Sequence, residues 1–187
     1  THGYASGGDD GPDNVIDKFS FSVDGNATDV GDLTITRGSA SSQTSSTHGY
    51  TAGGAAGSTY LNTIDKFTFS ADANATDVGD LINNSYGPAG QSSTTHGFVS
   101  GGFAPSYLNS IVKFTFASNA NATDHADITV ARHISSGQSS TTHGYMCGGS
   151  TGPVNNTIDK FPFASQTNAT DVGDLTAVKF GLAGHQV

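Results

Sequence analysis

The sequence predicts an all-β protein assembled from tandem repeats. One motif, Thr-His-Gly followed by an aromatic residue, occurs four times at nearly even spacing, beginning at Thr1, Thr47, Thr95 and Thr142. No segment has the sustained apolar periodicity of an α-helix, whereas several short segments alternate in the manner of strands. All 16 acidic residues are Asp, which favours turns, and Glu, which favours helices, is absent. We therefore expect short strands joined by turns.

The four copies divide the whole chain and leave no linker or second domain between them. Counted from each Thr, the repeats cover 1–46, 47–94, 95–141 and 142–187. A period of about 47 residues is typical of the blades of a β-propeller. We therefore interpret 1–187 as a single repeat domain and expect three or four short strands in each repeat.

Three blocks of sequence recur in order within each repeat. The first, His-Gly-aromatic-x-x-Gly-Gly, predicts a strand that ends where the backbone turns or closely approaches a neighbour. The second, Ile-Asp-Lys-Phe-x-Phe, alternates as a strand does, with Val112 in place of the Asp in the third repeat. The third, Asn-Ala-Thr-Asp-x-x-Asp-Leu, favours a turn because Asx side chains bind nearby backbone. The second block begins at Ile16, Ile64, Ile111 and Ile158, and the third at Asn26, Asn74, Asn121 and Asn168.

This order of blocks resembles the kelch-repeat β-propellers. A blade of that family runs aromatic-x-x-Gly-Gly, a variable loop, a strand with an aromatic residue, a turn and a basic residue. The second repeat gives Tyr50-Thr51-Ala52-Gly53-Gly54 and then Ile64-Asp65-Lys66-Phe67. The resemblance covers the whole chain and implies four kelch-like blades.

The basic residue of the family also has counterparts in this chain. Arg37 lies sixteen residues before Gly53, and Arg132 and Lys179 stand at the same place in later repeats, with Asn84 or Ser85 there in the second. The family's Trp is missing, and the hairpin before Gly-Gly is rich in Ser and Thr. In these respects the copies look like degenerate kelch-like repeats of marine bacteriophage and environmental proteins.

We expect the two ends of the chain to complete a blade together. Residues 1–8 begin at the strand that ends in Gly-Gly, and residues 181–187 match 87–93, the segment before the equivalent strand of the third repeat. A C-terminal strand would then close the first blade and hide sheet edges that invite aggregation. Three arrangements stay open: four blades closing within one chain, a homodimer forming an eight-bladed ring, or a piece cut from a longer array.

Charge and hydropathy exclude several classes of partner. The net charge is −9 and the pI about 4.8, so the chain is expected to repel nucleic acid and anionic membrane surfaces. No run approaches the roughly 18 apolar residues that a membrane helix needs, so no membrane insertion is expected. Cys147 is the one cysteine, which rules out an intrachain disulfide.

Two sets of residues are candidate metal ligands. The first occupies one repeat position, from which four imidazoles in a closed ring could converge on a metal; its members are His2, His48, His96 and His143. The alternative is that each His binds a strand or turn of its own repeat. The turns at 24–29 and 72–77 read Asp-x-Asn-x-Thr-Asp and echo calcium loops, although an ordinary Asx turn has the same composition. No other cofactor is predicted.

The variable loops after Gly-Gly carry the candidate ligand-binding residues. On a propeller, loops of this kind share one rim and form a binding surface. The aromatic residues Tyr60, Phe103 and Tyr107, with Asn62 and Asn109, could stack on and hydrogen-bond a sugar. The alternative is that these rings only pack their own loops.

The sequence contains no nucleophile elbow, phosphate loop, Cys/His cluster or Glu pair, so we expect no catalytic residues and no enzyme. We expect a non-catalytic binding or structural module, a surface component of a phage or similar particle that mediates adhesion or assembly. Its partner would be a glycan or a protein, and its location extracellular or virion-associated. A small carbohydrate-active enzyme and a calcium-stabilised lectin are the alternatives.

Overall fold

The computed structural model describes residues 2–9 and 13–185, which contain strands and turns and no helix. Sheet 1 is made of β1 (His2–Gly8), β2 (Asp13–Ser20) and β3 (Thr28–Asp32). Sheet 2 is made of β4 (Ser41–Thr44), β5 (His48–Ala52), β8 (Thr63–Thr68) and β9 (Thr76–Asp80), and its loop holds the ribbon of β6 (Ala55–Ala56) and β7 (Thr59–Tyr60).

The second half of the chain repeats the same order. Sheet 3 is made of β10 (Ala89–Ser92), β11 (His96–Ser100), β12 (Ser110–Thr115) and β13 (Thr123–Asp127). Sheet 4 is made of β14 (Ser136–Ser139), β15 (His143–Cys147), β16 (Thr157–Pro162) and β17 (Thr170–Asp174). In the part of the chain described, no helix is long and apolar enough to cross a membrane.

Every sheet is antiparallel, with neighbouring strands in chain order. The first sequence block forms the strand that ends at Gly-Gly, the second forms the next strand, and the third forms the outer strand. The all-β prediction is therefore confirmed, and the first and second blocks form the strands that the pattern predicted. The third block was predicted as a turn, but most of it forms a strand, Thr76–Asp80 in the second repeat. In sheets 2, 3 and 4 one further short strand, from the Ser- and Gly-rich stretch, pairs with the first-block strand.

The apolar core lies between consecutive sheets. One cluster joins Ile16 of sheet 1 to Phe67 of sheet 2, and another joins Ile64 of sheet 2 to Phe114 of sheet 3. A third cluster joins sheets 3 and 4. A single sheet of three or four strands cannot bury its own apolar side chains, which are covered only where the next sheet packs on them. The repeats therefore depend on their neighbours for stability.

The Gly of His-Gly-aromatic is required by a close approach. A Cβ atom on Gly97 would lie 2.4 Å from Cζ of Phe114, the aromatic residue paired with it on the adjacent strand. The ring therefore lies flat on the backbone of its neighbour, which only glycine permits. The same contact occurs in every repeat.

The predicted closure of the first blade is not seen. Sheet 1 has three strands, and among the described residues nothing pairs with the free edge of β1. Residues 181–185 form no strand; the Gly181 amide instead donates to the Ile134 carbonyl at 2.9 Å, which carries the segment onto sheet 4. Residues 186 and 187, also part of the predicted C-terminal strand, lie outside the described residues.

Candidate functional site

Five half-buried rings from the loops of the second and third repeats form one group, the rim aromatic cluster. Its members are Tyr60, Tyr86, Phe103, Tyr107 and His133. The Phe103 ring is central, with ring centroids 5.7 Å from Tyr60, 5.2 Å from Tyr107 and 5.8 Å from His133. Tyr86 lies 5.9 Å from both Tyr60 and His133. The structure thus brings together the three aromatic residues predicted from the variable loops.

Backbone hydrogen bonds hold these loops against one another. Tyr86 and Phe103 exchange two N–H···O bonds of 3.0 Å, which joins the end of the second repeat to the loop of the third. Phe103 also forms an antiparallel bridge with Tyr107 across its own loop. The amide and Nδ1 of His133 both donate to the Ser150 carbonyl, at 3.1 Å each. Because the backbone positions each ring, the cluster is pre-formed.

The cluster has the chemistry of a stacking surface. Each ring is partly exposed, so an apolar face meets solvent while the rest packs on its neighbours. Neighbouring rings meet edge-on, at 86° for Tyr60 with Phe103 and 65° for Phe103 with Tyr107, so they present faces in several directions. Tyrosine and histidine add hydrogen-bonding groups at the ring margins. Such a surface suits a ligand with flat apolar faces and hydroxyl groups.

Among the described residues, Asn62 and Asn109 contribute hydrogen bonds through their backbone, whereas the sequence predicted a binding role for their side chains. Their backbone carbonyls accept hydrogen bonds of 2.7 Å from Leu81 and Ile128, and Asn14 and Asn156 do the same in the other repeats. This repeated contact anchors the outer strand of each sheet. The amide side chains are beside the cluster in sequence, and their binding role stays a prediction.

Sequence reasoning missed Tyr86 and His133. Each directly follows the position of the basic residue, at Ser85 and Arg132, and belongs to a connecting segment rather than to a variable loop. A signal was present, because both are aromatic at one repeat position. That position is Gly38 in the first repeat and Phe180 in the fourth.

The repeated histidines bind within their own repeats. Nδ1 lies 2.8 Å from the hydroxyl of the preceding Thr in three of them, His48, His96 and His143. Among residues 2–9 and 13–185, no group of three or more His, Cys, Asp or Glu side chains is placed to hold a metal. The structure therefore does not bring the imidazoles, His2 included, together into the metal site considered from the sequence.

Side-chain oxygen atoms of the Asp-x-Asn-x-Thr-Asp turn at 72–77 are bound to protein groups. In the turn at 72–77, Asp72 accepts from Lys18 Nζ at 2.7 Å, and Asn74 Oδ1 accepts from the Asp32 amide at 3.1 Å. Asp77 Oδ1 accepts from Gly79 two residues on. These contacts are those of an Asx turn that joins two repeats, and calcium binding at 24–29 or 72–77 gains no support from them.

The buried charges serve the scaffold. The guanidinium of Arg37 contacts Asp65 at 2.5 Å and the Gly53 carbonyl at 3.2 Å, and neither charged side chain is exposed. Burial lowers the pKa of Arg37, and the facing carboxylate of Asp65 acts in the opposite direction. The Ser85 hydroxyl, at the end of the second repeat, makes the equivalent bond to sheet 3, 3.1 Å to the Gly101 carbonyl.

Comparison with protein-family models and with curated proteins finds no match to this chain. The geometry of the rim aromatic cluster is therefore the feature that indicates function.

Proposed function

We propose that this chain is a non-catalytic binding module that uses the rim aromatic cluster to hold a glycan. One observation carries the proposal: four separate segments deliver five partly exposed rings to one place, through backbone contacts that fix them before any ligand arrives. A pre-formed surface loses little conformational entropy on binding, which favours recognition.

The proposed scaffold is a run of four kelch-like blades of a β-propeller. Four consecutive antiparallel sheets of similar strand order, each packed on the next, support it. In such a scaffold the connecting loops gather on one rim, and variable rim loops bind partners. We further propose that the module is an extracellular or virion-associated surface component of a phage or similar particle, where glycan binding would serve adhesion.

Catalysis is left out of this proposal for a chemical reason. Cys147, the one thiol, is partly buried, and burial raises its pKa, which disfavours the nucleophilic thiolate. Its Sγ donates to Gln138 Oε1 at 3.1 Å. The buried carboxylates Asp65 and Asp159 face arginines inside the sheets.

A glycan array followed by calorimetry tests the proposal. The intact chain is expected to bind a defined set of glycans, and Tyr107→Ala should weaken that binding about tenfold or more, as loss of one stacking ring does. Tyr107→Phe keeps the ring and should keep most of the affinity. Val130→Ala alters an exposed apolar side chain outside the cluster and serves as the matched control.

The calorimetry is repeated with a chelator present. Unchanged affinity is expected, whereas loss of binding would favour the calcium-dependent lectin instead. If no glycan binds, or if Tyr107→Ala binds as the intact chain does, the proposed role of the cluster is wrong.

A further inference from the structure

The same junction joins sheets 1 and 2, sheets 2 and 3, and sheets 3 and 4. At its centre an aromatic ring from the first-block strand stacks on one Phe of the next sheet and tilts against a second. The stacked pairs are Tyr4 on Phe69 at 4.9 Å, Tyr50 on Phe116 at 4.8 Å and Phe98 on Phe163 at 4.7 Å. Interplanar angles of 22–24° show that the geometry repeats.

A backbone seam runs beside the rings at each junction. In the second junction the Asp80 amide donates to Asn121 Oδ1 at 3.1 Å, and the Asp80 carbonyl accepts from Ala122 at 2.8 Å. The first and third junctions contain the same two bonds. The backbones approach so closely that a Cβ atom on Gly79 would lie 2.5 Å from the Ala120 carbonyl oxygen.

Charge is matched across these junctions. Arg37, in the segment that leaves sheet 1, inserts its side chain beside Asp65 of sheet 2, and Arg132 does the same with Asp159 of sheet 4. Where the third repeat has Val112 instead of Asp, the arginine is replaced by Ser85, and the two line one small cavity. A basic residue and an Asp are therefore present together or absent together.

The exposed face of sheet 4 carries the residue positions that sheets 1, 2 and 3 each contribute to the junction with the following sheet. We call this surface the back face. Tyr145 holds the stacking position, Gly173 the position of close approach and Lys179 the basic position. Every residue of β17 is exposed and so is Lys179, and among the described residues no atom lies within 4 Å of a Cβ built on Gly173. Gly173 has φ +149°, as Gly79 does at +151°, so its backbone already has the junction conformation.

The exposed face of sheet 1 carries the residue positions that sheets 2, 3 and 4 each contribute to the junction with the preceding sheet. We call this surface the front face. Phe19 and Phe21 are 40% and 67% exposed, yet their rings already lie 5.6 Å apart at 77°, as Phe114 and Phe116 do at 5.9 Å and 75°. Asp17 holds the position of Asp65 and makes no ion pair in the part of the chain described. The front face thus presents two Phe rings already in the junction arrangement and a carboxylate without an ion-pair partner among the described residues.

The segment at 181–185 packs on sheet 4 in the same way that the first strand of one sheet packs on the sheet before it. It follows β14 as β14 follows β10: the Gly181 amide donates to Ile134, and the Ile134 amide to Gly87. A Cβ atom on Gly184 would lie 2.7 Å from the Gly137 carbonyl oxygen, the contact that Gly137 makes with Gly90. Residues 181–185 therefore take the place that β10 and β14 take at the start of sheets 3 and 4, and no strand among the described residues pairs with them.

The free edge of β1 lacks just such a strand. A groove of about 310 Å³ runs along it and is lined by Tyr4, Ser6, Gly8 and Ser41 among others. In sheets 2, 3 and 4 the corresponding edge is covered by β4, β10 and β14. Segment 181–185 and the β1 edge are complementary, and among the described residues they do not pair.

We propose that the back face of one copy of this chain binds the front face of a second copy. Tyr145 stacks on Phe21, Lys179 pairs with Asp17, and segment 181–185 of the first copy pairs with β1 of the second. The interface is head-to-tail, so it closes a ring of two copies if the rotation permits and otherwise extends into a filament. The inference does not depend on what the rim aromatic cluster binds.

Sedimentation equilibrium over a concentration series tests the proposal. The intact chain is expected to form species of twice its 19.0 kDa or a ladder of larger ones, and both support a head-to-tail interface. Phe21→Asp removes the front face and Tyr145→Asp removes the back face, so each variant alone should sediment as one chain. Mixed together they retain one good face each and should form a one-to-one complex.

Charge reversal gives a second, independent measurement. Lys179→Asp alone should raise the dissociation constant about tenfold or more, since it sets a second carboxylate against Asp17. Adding Asp17→Lys in the same chain should restore association. Val130→Asp changes an exposed residue that no junction buries and should associate as the intact chain does.

Two results would overturn the proposal. One is an intact chain that remains a single chain at every concentration. The other is association that survives in Phe21→Asp or in Tyr145→Asp alone, since another surface would then be responsible. Circular dichroism of each variant establishes that the sheets are retained.

Discussion

The Arg132 guanidinium lies 2.8 Å from the Asp159 carboxylate, and neither side chain is exposed to solvent. Asp159 also accepts hydrogen bonds from the amide and hydroxyl of Thr129, at 3.1 and 2.7 Å. Arg132 donates to the carbonyls of Gly148 and Met146. Such a pair is tolerated inside a protein because its remaining polar atoms are also satisfied.

Asp159→Val is expected to lower the free energy of unfolding by about 3–5 kcal/mol, because it leaves the Arg132 charge buried without a partner. Arg132→Ser with Asp159→Val copies the natural combination of Ser85 and Val112. The double variant should therefore recover most of the loss. Urea unfolding followed by circular dichroism measures both, and a double variant less stable than the single one would contradict this account.

The sequence predicted strand positions well because four copies of one pattern reinforce each other. The strand that contains Ile64 stands where the alternation predicted it, whereas the block from Asn74, predicted as a turn, forms the strand Thr76–Asp80. Contacts between repeats were not predictable, since nothing in a one-dimensional pattern indicates that Tyr86 meets Phe103. Ring closure could not be predicted from the sequence either, because matching segments at the two ends do not show whether each finds its partner in the same chain.

Ala52→Ser is expected to stabilise the chain. Gln43 Oε1 is buried without a hydrogen bond among the described residues, whereas the equivalent Gln91 Oε1 accepts from the Ser100 hydroxyl at 2.8 Å. A hydroxyl at position 52 supplies the missing donor and should raise the free energy of unfolding by about 1 kcal/mol.

Ser100→Ala is the matched reverse experiment in sheet 3. It removes the donor to Gln91 and should lower the free energy of unfolding by about 1–3 kcal/mol, the cost of a buried unsatisfied acceptor. Both variants are compared by their urea midpoints. If Ala52→Ser destabilises the chain, position 52 has no room for the hydroxyl and the prediction fails.

Gly97→Ala is expected to lower the free energy of unfolding by about 1–3 kcal/mol, because the new methyl group would overlap the Phe114 ring. Gly25→Ala is the control, since a Cβ atom there meets nothing within 4 Å among the described residues and its effect should stay within about 0.5 kcal/mol. Thermal unfolding compares the two. Equal effects would mean that the ring can move aside without loss.

The imidazole of His125 is buried between the rings of Phe98 and Phe161, with centroid distances of 5.1 and 6.0 Å. Nε2 donates to the Pro162 carbonyl at 2.9 Å, and the buried Nδ1 has no partner among the described residues. Burial lowers the pKa of His125, and Lys113 lowers it further, while Pro162 and Asp124 act in the opposite direction. The folded chain therefore favours the neutral ring.

His125→Val is expected to make stability less sensitive to acid. Because the pKa of His125 is lower when folded than its ordinary value of 6.5, the unfolded chain binds the proton first. Its contribution to stability is complete above pH 6.5 and is lost as pH falls towards the folded pKa. Val stands at this position in the other three repeats, as Val30, Val78 and Val172.

Urea midpoints measured at neutral and at mildly acidic pH test this prediction. Between the two pH values the midpoint should fall less for the variant than for the intact chain. His48 and His96 titrate in both proteins, so an equal fall would show that His125 contributes nothing.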